Sequence, residues 1–352
     1  MKIFKRLLLL GVVTFILEAS FLFYVDNYYL SEEQAFTLQS DTVEKEVFAE
    51  KKLIINLPEQ YKDFKISYDG RYVSYIESGK LKVVSMKDGS SNEISIDGDI
   101  EQSYYGWLDD RNRIVTTEKK QKDSKWLVKF YHYDVKTQEK VEVKDFINEK
   151  EVFLTLEDKG SQVGKIEFNT LNTIIYPKIN INENESKLYR VDATAPIELI
   201  KTQTKNVGDI RVIKNLDKVA YEDRQNKKIY LSDSKTAITI KDVSEYKLLS
   251  VDDVSKIYIG SVNNGKIDKV YYKNLKDIES DWLVNSLENP VSDKDIYITL
   301  LGEIFINDVE KATIKSISNS KEFKYEGNIL GIYNEGAIVL NSKGEISNLS
   351  MK

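Results

Sequence analysis

Cysteine is absent from the 352 residues. That excludes disulfides, thiolate metal sites, a cysteine nucleophile and lipoprotein-type acylation together. Histidine occurs once, as His132, so a zinc centre or a Ser-His-Asp triad has at most one imidazole to draw on. Proline is scarce at four copies, and no long low-complexity tract is present, a composition that belongs to a folded chain. Glycine-rich phosphate loops and the G-x-S-x-G elbow of α/β-hydrolases do not occur. Positive charge is the minority sign: 51 Lys and Arg stand against 57 Asp and Glu, for a net charge of -6. An acidic body argues against nucleic-acid partners, whose phosphates are neutralised by Lys and Arg.

What is abundant points to strands. Tyrosine occurs 22 times and charged residues make up 31% of the chain, a mixture suited to pleated surfaces with one wet edge. Lysine greatly outnumbers arginine and Asn and Ile are frequent, a codon-bias signature that points to a bacterial source.

The N-terminus differs from the rest. After MKIFKR, residues 7–25 form one apolar run, about 28 Å long as a helix, against a bilayer core of about 30 Å. Lys2, Lys5 and Arg6 precede it, and Asp26, Glu32 and Glu33 follow. By the positive-inside rule residues 1–6 are a cytoplasmic tail, 7–25 an uncleaved signal anchor, 26–51 a juxtamembrane stalk and 52–352 an extracytoplasmic domain at the cell membrane. A cleaved signal peptide is the rival, but the small residues Ala19 and Ser20 form no A-x-A site. Glu18 lies inside the span. It is read as protonated or near the interface, with contact to another membrane helix as its functional alternative.

From residue 52 the pattern becomes that of short strands. Residues 64–96 read as one four-stranded antiparallel unit, its runs separated by Asp69-Gly70, Ser78-Gly79-Lys80 and Lys87-Asp88-Gly89, the turn chemistry of tight hairpins. Comparable turns precede comparable strands near Asp109, Asn172, Asp217, Asp252, Asp293 and Glu335. Counted from Asp69, the intervals are 40, 63, 45, 35, 41 and 42 residues. A four-stranded propeller blade needs roughly 40–45. The long interval is assigned to an insertion over 144–160. The expected fold class is therefore all-β: a seven-bladed β-propeller, with six or eight blades left open, preceded by one transmembrane helix. The last unit has room for three strands, and the spare strand 52–57 is expected to close it as its fourth.

The Ser67-Tyr68-Asp69-Gly70-Arg71 turn and the Tyr/Val strand after it resemble the S-P-D-G-[KR] turn of TolB-type and dipeptidyl-peptidase-IV-type WD40-like propeller repeats, with Tyr68 where Pro is usual. The motif is well kept in this one unit and degenerate in the others. The resemblance implies a propeller and a binding role in the bacterial envelope. It carries over no catalytic residue.

Chemistry-bearing candidates are few. His132 sits in the alternating run Phe130-Tyr131-His132-Tyr133-Asp134 and is read as a sheet histidine. The oxygen-rich stretches 97–99 and 180–186 do not match a calcium loop and are read as hairpin tips. No cofactor, metal or catalytic residue is assigned. Tyr104, Tyr105, Trp107, Trp126, Tyr271, Tyr272 and Trp282 either line a central funnel or, in the favoured reading, pack between blades. The expected function is a binding or scaffold module for an envelope protein, peptide or glycan. The alternative is a glycan hydrolase or lyase using funnel carboxylates and tyrosines, and a third is a sensor that signals through a partner membrane helix.

Overall fold

The computed structural model describes residues 63–96, 104–145, 150–156, 158–169, 174–192, 197–277 and 280–351, with Arg6, Thr14, Glu18 and Phe21. Contacts divide the chain into units 1–51 and 52–352. In the first, the four described residues are helical and exposed. Among the described residues no helix is long and apolar enough to cross a membrane. The expected span 7–25 lies outside them apart from Thr14, Glu18 and Phe21, and the expected closing strand 52–57 lies outside them altogether.

The second unit is an antiparallel repeat of seven blades. Blade 1 holds β1 (Lys65–Ile66), β2 (Tyr72–Glu77), β3 (Lys80–Ser85) and β4 (Ser91–Ile94), the four strands expected from its turns. Blade 2 holds β5 (Tyr105–Trp107), β6 (Arg113–Lys122), β7 (Lys125–Asp134) and β8 (Glu139–Glu142). A small hairpin of β9 (Lys144–Asp145) and β10 (Lys150–Glu151) follows, and then β11 (Phe153–Leu156). β8 covers one half of the long β7 and β11 the other. The expected insertion therefore completes the outer edge of blade 2.

Blade 3 is β12 (Gln162–Phe168), β13 (Ile174–Asn182), β14 (Glu185–Asp192) and β15 (Glu198–Ile200). Blade 4 is β16 (Val207–Ile213), β17 (Lys218–Asp223) and β18 (Lys228–Leu231). Blade 5 is β19 (Tyr246–Val251), β20 (Lys256–Asn263), β21 (Lys266–Asn274) and β22 (Leu283–Val291). Blade 6 is β23 (Ile296–Ile298), β24 (Ile304–Asp308), β25 (Thr313–Ser316) and β26 (Glu322–Lys324). Blade 7 is β27 (Asn328–Tyr333), β28 (Gly336–Leu340) and β29 (Ile346–Ser350), and among the described residues β29 pairs with β28 alone.

Of the seven expected turns, that at Asn172 lies outside the described residues, and five fall between the first and second strands of a blade. The sixth does not. Asp293 was expected to mark it, with Ile296–Ile298 as the second strand, but those residues form the first strand, β23, and the equivalent turn is 299–303. A short apolar strand between turns looks the same in either position, because alternation does not encode a strand's rank within its sheet.

Apolar side chains form seven clusters, each shared by two successive blades, and the seventh joins blade 7 back to blade 1. Successive residues of a strand face opposite sides of the sheet, so one strand serves two clusters. On β2, Val73 and Tyr75 pack toward blade 7 while Tyr72 and Ile76 pack toward blade 2. On β17, Val219 and Tyr221 face blade 3 and Ala220 faces blade 5. Strands with two buried faces need continuous apolar runs, which is why Val219-Ala220-Tyr221 and Ile257-Tyr258-Ile259 do not alternate with polar residues. At the closing contact Gly70 has φ +70, and a Cβ there would lie 2.6 Å from Cζ of Tyr333 in blade 7. The Asp-Gly turn thus supplies both a left-handed backbone and room for the last blade's ring.

Candidate functional site: the axial cavity

The first strands of all seven blades surround a cavity of about 620 Å³. Its walls differ in chemistry. Blades 2, 3 and 4 contribute Asp109, Lys165, Glu167, Arg211 and Lys214, whereas blades 6, 7 and 1 contribute mainly apolar side chains, Ile298, Leu300, Leu330, Ile332, Phe64 and Ile66, with Lys65 as their one charged residue.

The charged wall is built by a short repeat. Val163-Gly164-Lys165-Ile166-Glu167 in β12 is matched by Val207-Gly208-Asp209-Ile210-Arg211 in β16. Both strands bulge at this point, between Val163 and Lys165 and between Val207 and Ile210. A bulge re-aims side chains and releases backbone groups from the ladder. Glycine fits the bulge because a Cβ at Gly208 would meet Oε2 of Glu222 at 2.5 Å, and one at Gly164 would meet Cγ of Asn180 at 2.8 Å. In each strand the two charged residues are two apart and share a face, and the charges of the two blades are complementary. Lys165 lies 2.7 Å from Asp209 and 3.0 Å from Glu167. Arg211 lies 3.0 Å from Glu167 and 3.3 Å from Asp209.

Cations also reach backbone carbonyls one blade ahead. Lys165 donates to Ile210 O at 2.9 Å, Lys178 to Gly208 O at 2.6 Å and Arg211 to Leu249 O at 3.3 Å. Lys119 donates to Ser161 O at 2.6 Å, and Lys65 to Tyr105 O. Gly208 and Leu249 lie in bulges, where the ladder leaves their carbonyls in need of a donor. Glu222 completes the arrangement, accepting from Asp209 N at 2.9 Å and from Leu248 N at 2.7 Å.

Burial sets the protonation tendencies. It would raise the Glu167 carboxyl, but Lys165 and Arg211 outweigh it and hold the group below its ordinary value. Asp209 is likewise driven far down by Arg211 and Lys165 against burial. Asp109 goes the other way: burial, and then the charge of Glu167, push it up, and Lys214 at 3.5 Å offsets this in part. Asp109 lines the cavity with 57% of its side chain exposed. Burial lowers Lys65 to about 8, and its amine lies over the rings of Tyr104 and Tyr105.

Of the aromatics singled out from sequence, Tyr104 and Trp107 line the cavity. Trp107 donates to Ser74 Oγ in blade 1 at 2.8 Å, and Tyr105 is buried in the cluster between blades 1 and 2. Trp126, Tyr271, Tyr272 and Trp282 pack against inter-blade clusters. His132 is a strand residue of β7, packed at 6.1 Å from the Phe168 ring. Residues 180–186 span the β13–β14 hairpin, and 97–99 lie outside the described residues. Among the described residues no cluster of three or more His, Cys, Asp or Glu could hold a metal ion. The sequence reading missed Asp109, Lys165, Glu167, Asp209 and Arg211. The paired V-G-x-I-x segments were the signal that could have found the last four.

No family model matches the chain, and no curated protein matches it in sequence. Solved structures do. A chain in the crystal structure of the mitotic checkpoint complex is 13% identical with a TM-score of 0.50, and the alignment covers 90% of this chain and 98% of that one. The WD40 β-propeller domain of Doa1 is 13% identical with a TM-score of 0.50, covering 86% and 97%. In fold the chain is a WD40-like β-propeller. Porphyromonas gingivalis dipeptidyl peptidase 4, at a TM-score of 0.41 over 81% of this chain and 48% of that one, is too distant to bear on the finer resemblance.

Proposed function

We propose that this protein is a binding module of the bacterial envelope, related to TolB-type propellers, whose partner protein, peptide or glycan engages the mouth of the axial cavity. In this reading residues 7–25 anchor it in the cell membrane with the propeller outside. The cavity carries the reading: it is reached by all seven blades, and it offers a fixed array of charges opposite an apolar wall, the combination expected of a ligand site. The apolar run behind MKIFKR supports the anchor.

The absence of cysteine makes a direct test available, because one introduced thiol is uniquely addressable. Asn334→Cys at the cavity rim, labelled with a photo-crosslinker in intact membranes, is expected to capture a partner that Glu288→Cys on β22 does not. Identical capture from both positions overturns the reading. Alkaline extraction and external protease test the anchor: retention in the pellet with the propeller digested from outside is expected, and release into the supernatant refutes it.

A second reading, a glycan hydrolase or lyase, is favoured by one observation. Asp109 is raised and Glu167 lowered within one cavity, the divergence that separates an acid from a base. Glu167, however, already accepts from Arg211 and Val212 N and pairs with Lys165. Turnover of envelope glycan that disappears in Asp109→Asn would establish this reading, and its absence would leave the binding module.

A further inference from the structure

We propose that the propeller face formed by the turns between first and second strands docks a linear peptide carrying an aliphatic residue beside a basic one, seated on the turns of blades 5 and 6. This rests on the binding reading above and names the partner's chemistry and its seat.

Val254 and Leu301 are 53% and 67% exposed, and they occupy equivalent turns of adjacent blades. The two turns are joined by a hydrogen bond from Asp253 N–H to Leu300 O at 3.0 Å. From below, the buried Tyr258 hydroxyl donates to Asp252 Oδ2 at 3.0 Å and reaches Gly302 O at 3.4 Å. The pair of turns is therefore fixed before any partner arrives, which lowers the ordering cost of docking. Leu300 and Asp253 also line the axial cavity beside Ile298 and Leu330, so the apolar surface runs from the rim into the cavity's apolar wall.

Charge selects the occupant. Among the described residues these turns carry Asp69, Asp109, Asp110, Asp217, Asp252, Asp253, Glu303 and Glu335 against Arg71, Arg111 and Lys214. Several of the acids are already paired: Asp69 with Arg71, Asp109 with Lys214, Asp110 with Arg111 and Asp217 with Arg190. Asp253 and Glu303 have no ion-pair partner among the described residues; Asp253 adjoins Val254 in sequence, and Glu303 follows Leu301 by two residues on the same turn. Exposed aliphatics on turns that also carry two uncommitted carboxylates match a segment with an aliphatic and a basic side chain side by side. The other exposed apolar pair, Leu283 and Val284, consists of consecutive residues of β22, whose side chains point to opposite faces and form no joint patch.

The test uses the full-length protein and three fluorescent octapeptides: one with two Leu-Lys pairs spaced by serine, one with serine in place of leucine, and one with glutamate in place of lysine. The Leu-Lys peptide is expected to bind at least about tenfold more tightly than either control, each lost contact costing roughly that factor. The same loss is expected in the double variants Val254→Ser/Leu301→Ser and Asp253→Asn/Glu303→Gln, with melting temperatures unchanged. A fluorophore on Leu301→Cys should respond to the peptide, and one on Leu199→Cys, exposed on blade 3, should not. Equal binding to wild type and both double variants, or equal binding of the acidic peptide, overturns the proposal. If Val254→Ser/Leu301→Ser still yields the rim-specific crosslink at Asn334→Cys, this seat is wrong and the binding reading stands. If no rim-specific crosslink forms in either protein, the binding reading falls, and the octapeptide titration still decides this proposal.

Discussion

His132 should make the propeller acid-sensitive in a window that belongs to this residue. It is the sole histidine of the chain. It lies on β7 against the Phe168 ring, and its Nδ1 is buried without a hydrogen-bond partner. Burial, and then the charges of Arg113 and Arg111, lower the imidazole to about 4 from an ordinary 6.5. Between those values the unfolded chain binds a proton that the folded chain refuses, so stability is fully present above pH 6.5 and declines as pH falls toward 4. The full shift corresponds to about 3 kcal/mol, and allowing for partial exposure of the ring leaves about 2 kcal/mol by pH 4.5. The assay is denaturant unfolding of wild type and His132→Gln at pH 7.5 and pH 4.5. Carboxylates titrate in both proteins, so the difference between them isolates the imidazole. The variant is expected to gain about 2 kcal/mol relative to wild type on acidification. A difference that stays constant between the two pH values, or an imidazole that titrates above pH 6 by NMR, would refute the reasoning.

Gly70→Ala combines a strained left-handed backbone with a collision against Tyr333. It should cost about 2–4 kcal/mol in equilibrium unfolding, and a cost below about 0.5 kcal/mol would show that the contact between blades 1 and 7 yields easily. Glu167→Gln leaves Lys165 and Arg211 with one fewer anion and should destabilise by about 3 kcal/mol. Recovery of most of that loss in a Glu167→Leu/Arg211→Met double variant would locate the cost in the uncompensated charge. If residues 52–57 close blade 7 as its expected fourth strand, deleting residues 51–57 should lower the melting temperature by about 5 °C or more. An unchanged melt would mean that the cluster joining blades 7 and 1 closes the ring without that strand.

Blade 1 was legible strand by strand because its signals are local. Asp69-Gly70, Ser78-Gly79 and Asp88-Gly89 fix the reversals, and the apolar runs between them have the length of strands. Blade 6 was misplaced by one strand because its turn, Leu300-Leu301-Gly302, is apolar and carries no Asp or Asn signal before its glycine. The aromatics showed their preference for inter-blade packing, yet which of them faced the axis depended on which face of the innermost strand each occupied. At Tyr104 and Tyr105 one step along the chain separates the cavity lining from the core.

The chain by itself determined the class and the period: short strands, tight turns and about seven repeats follow from residues within ten positions of one another. Tertiary structure decided the ring and the site. Lys165 meets Asp209 and Arg211 meets Glu167 at a sequence separation of 44. Neither pair can be recognised until the curvature of the blades brings β12 and β16 together. The charges of Val163-Gly164-Lys165-Ile166-Glu167 and Val207-Gly208-Asp209-Ile210-Arg211 were always written in the chain. Their meaning as one network appeared when two bulges turned them toward a common axis.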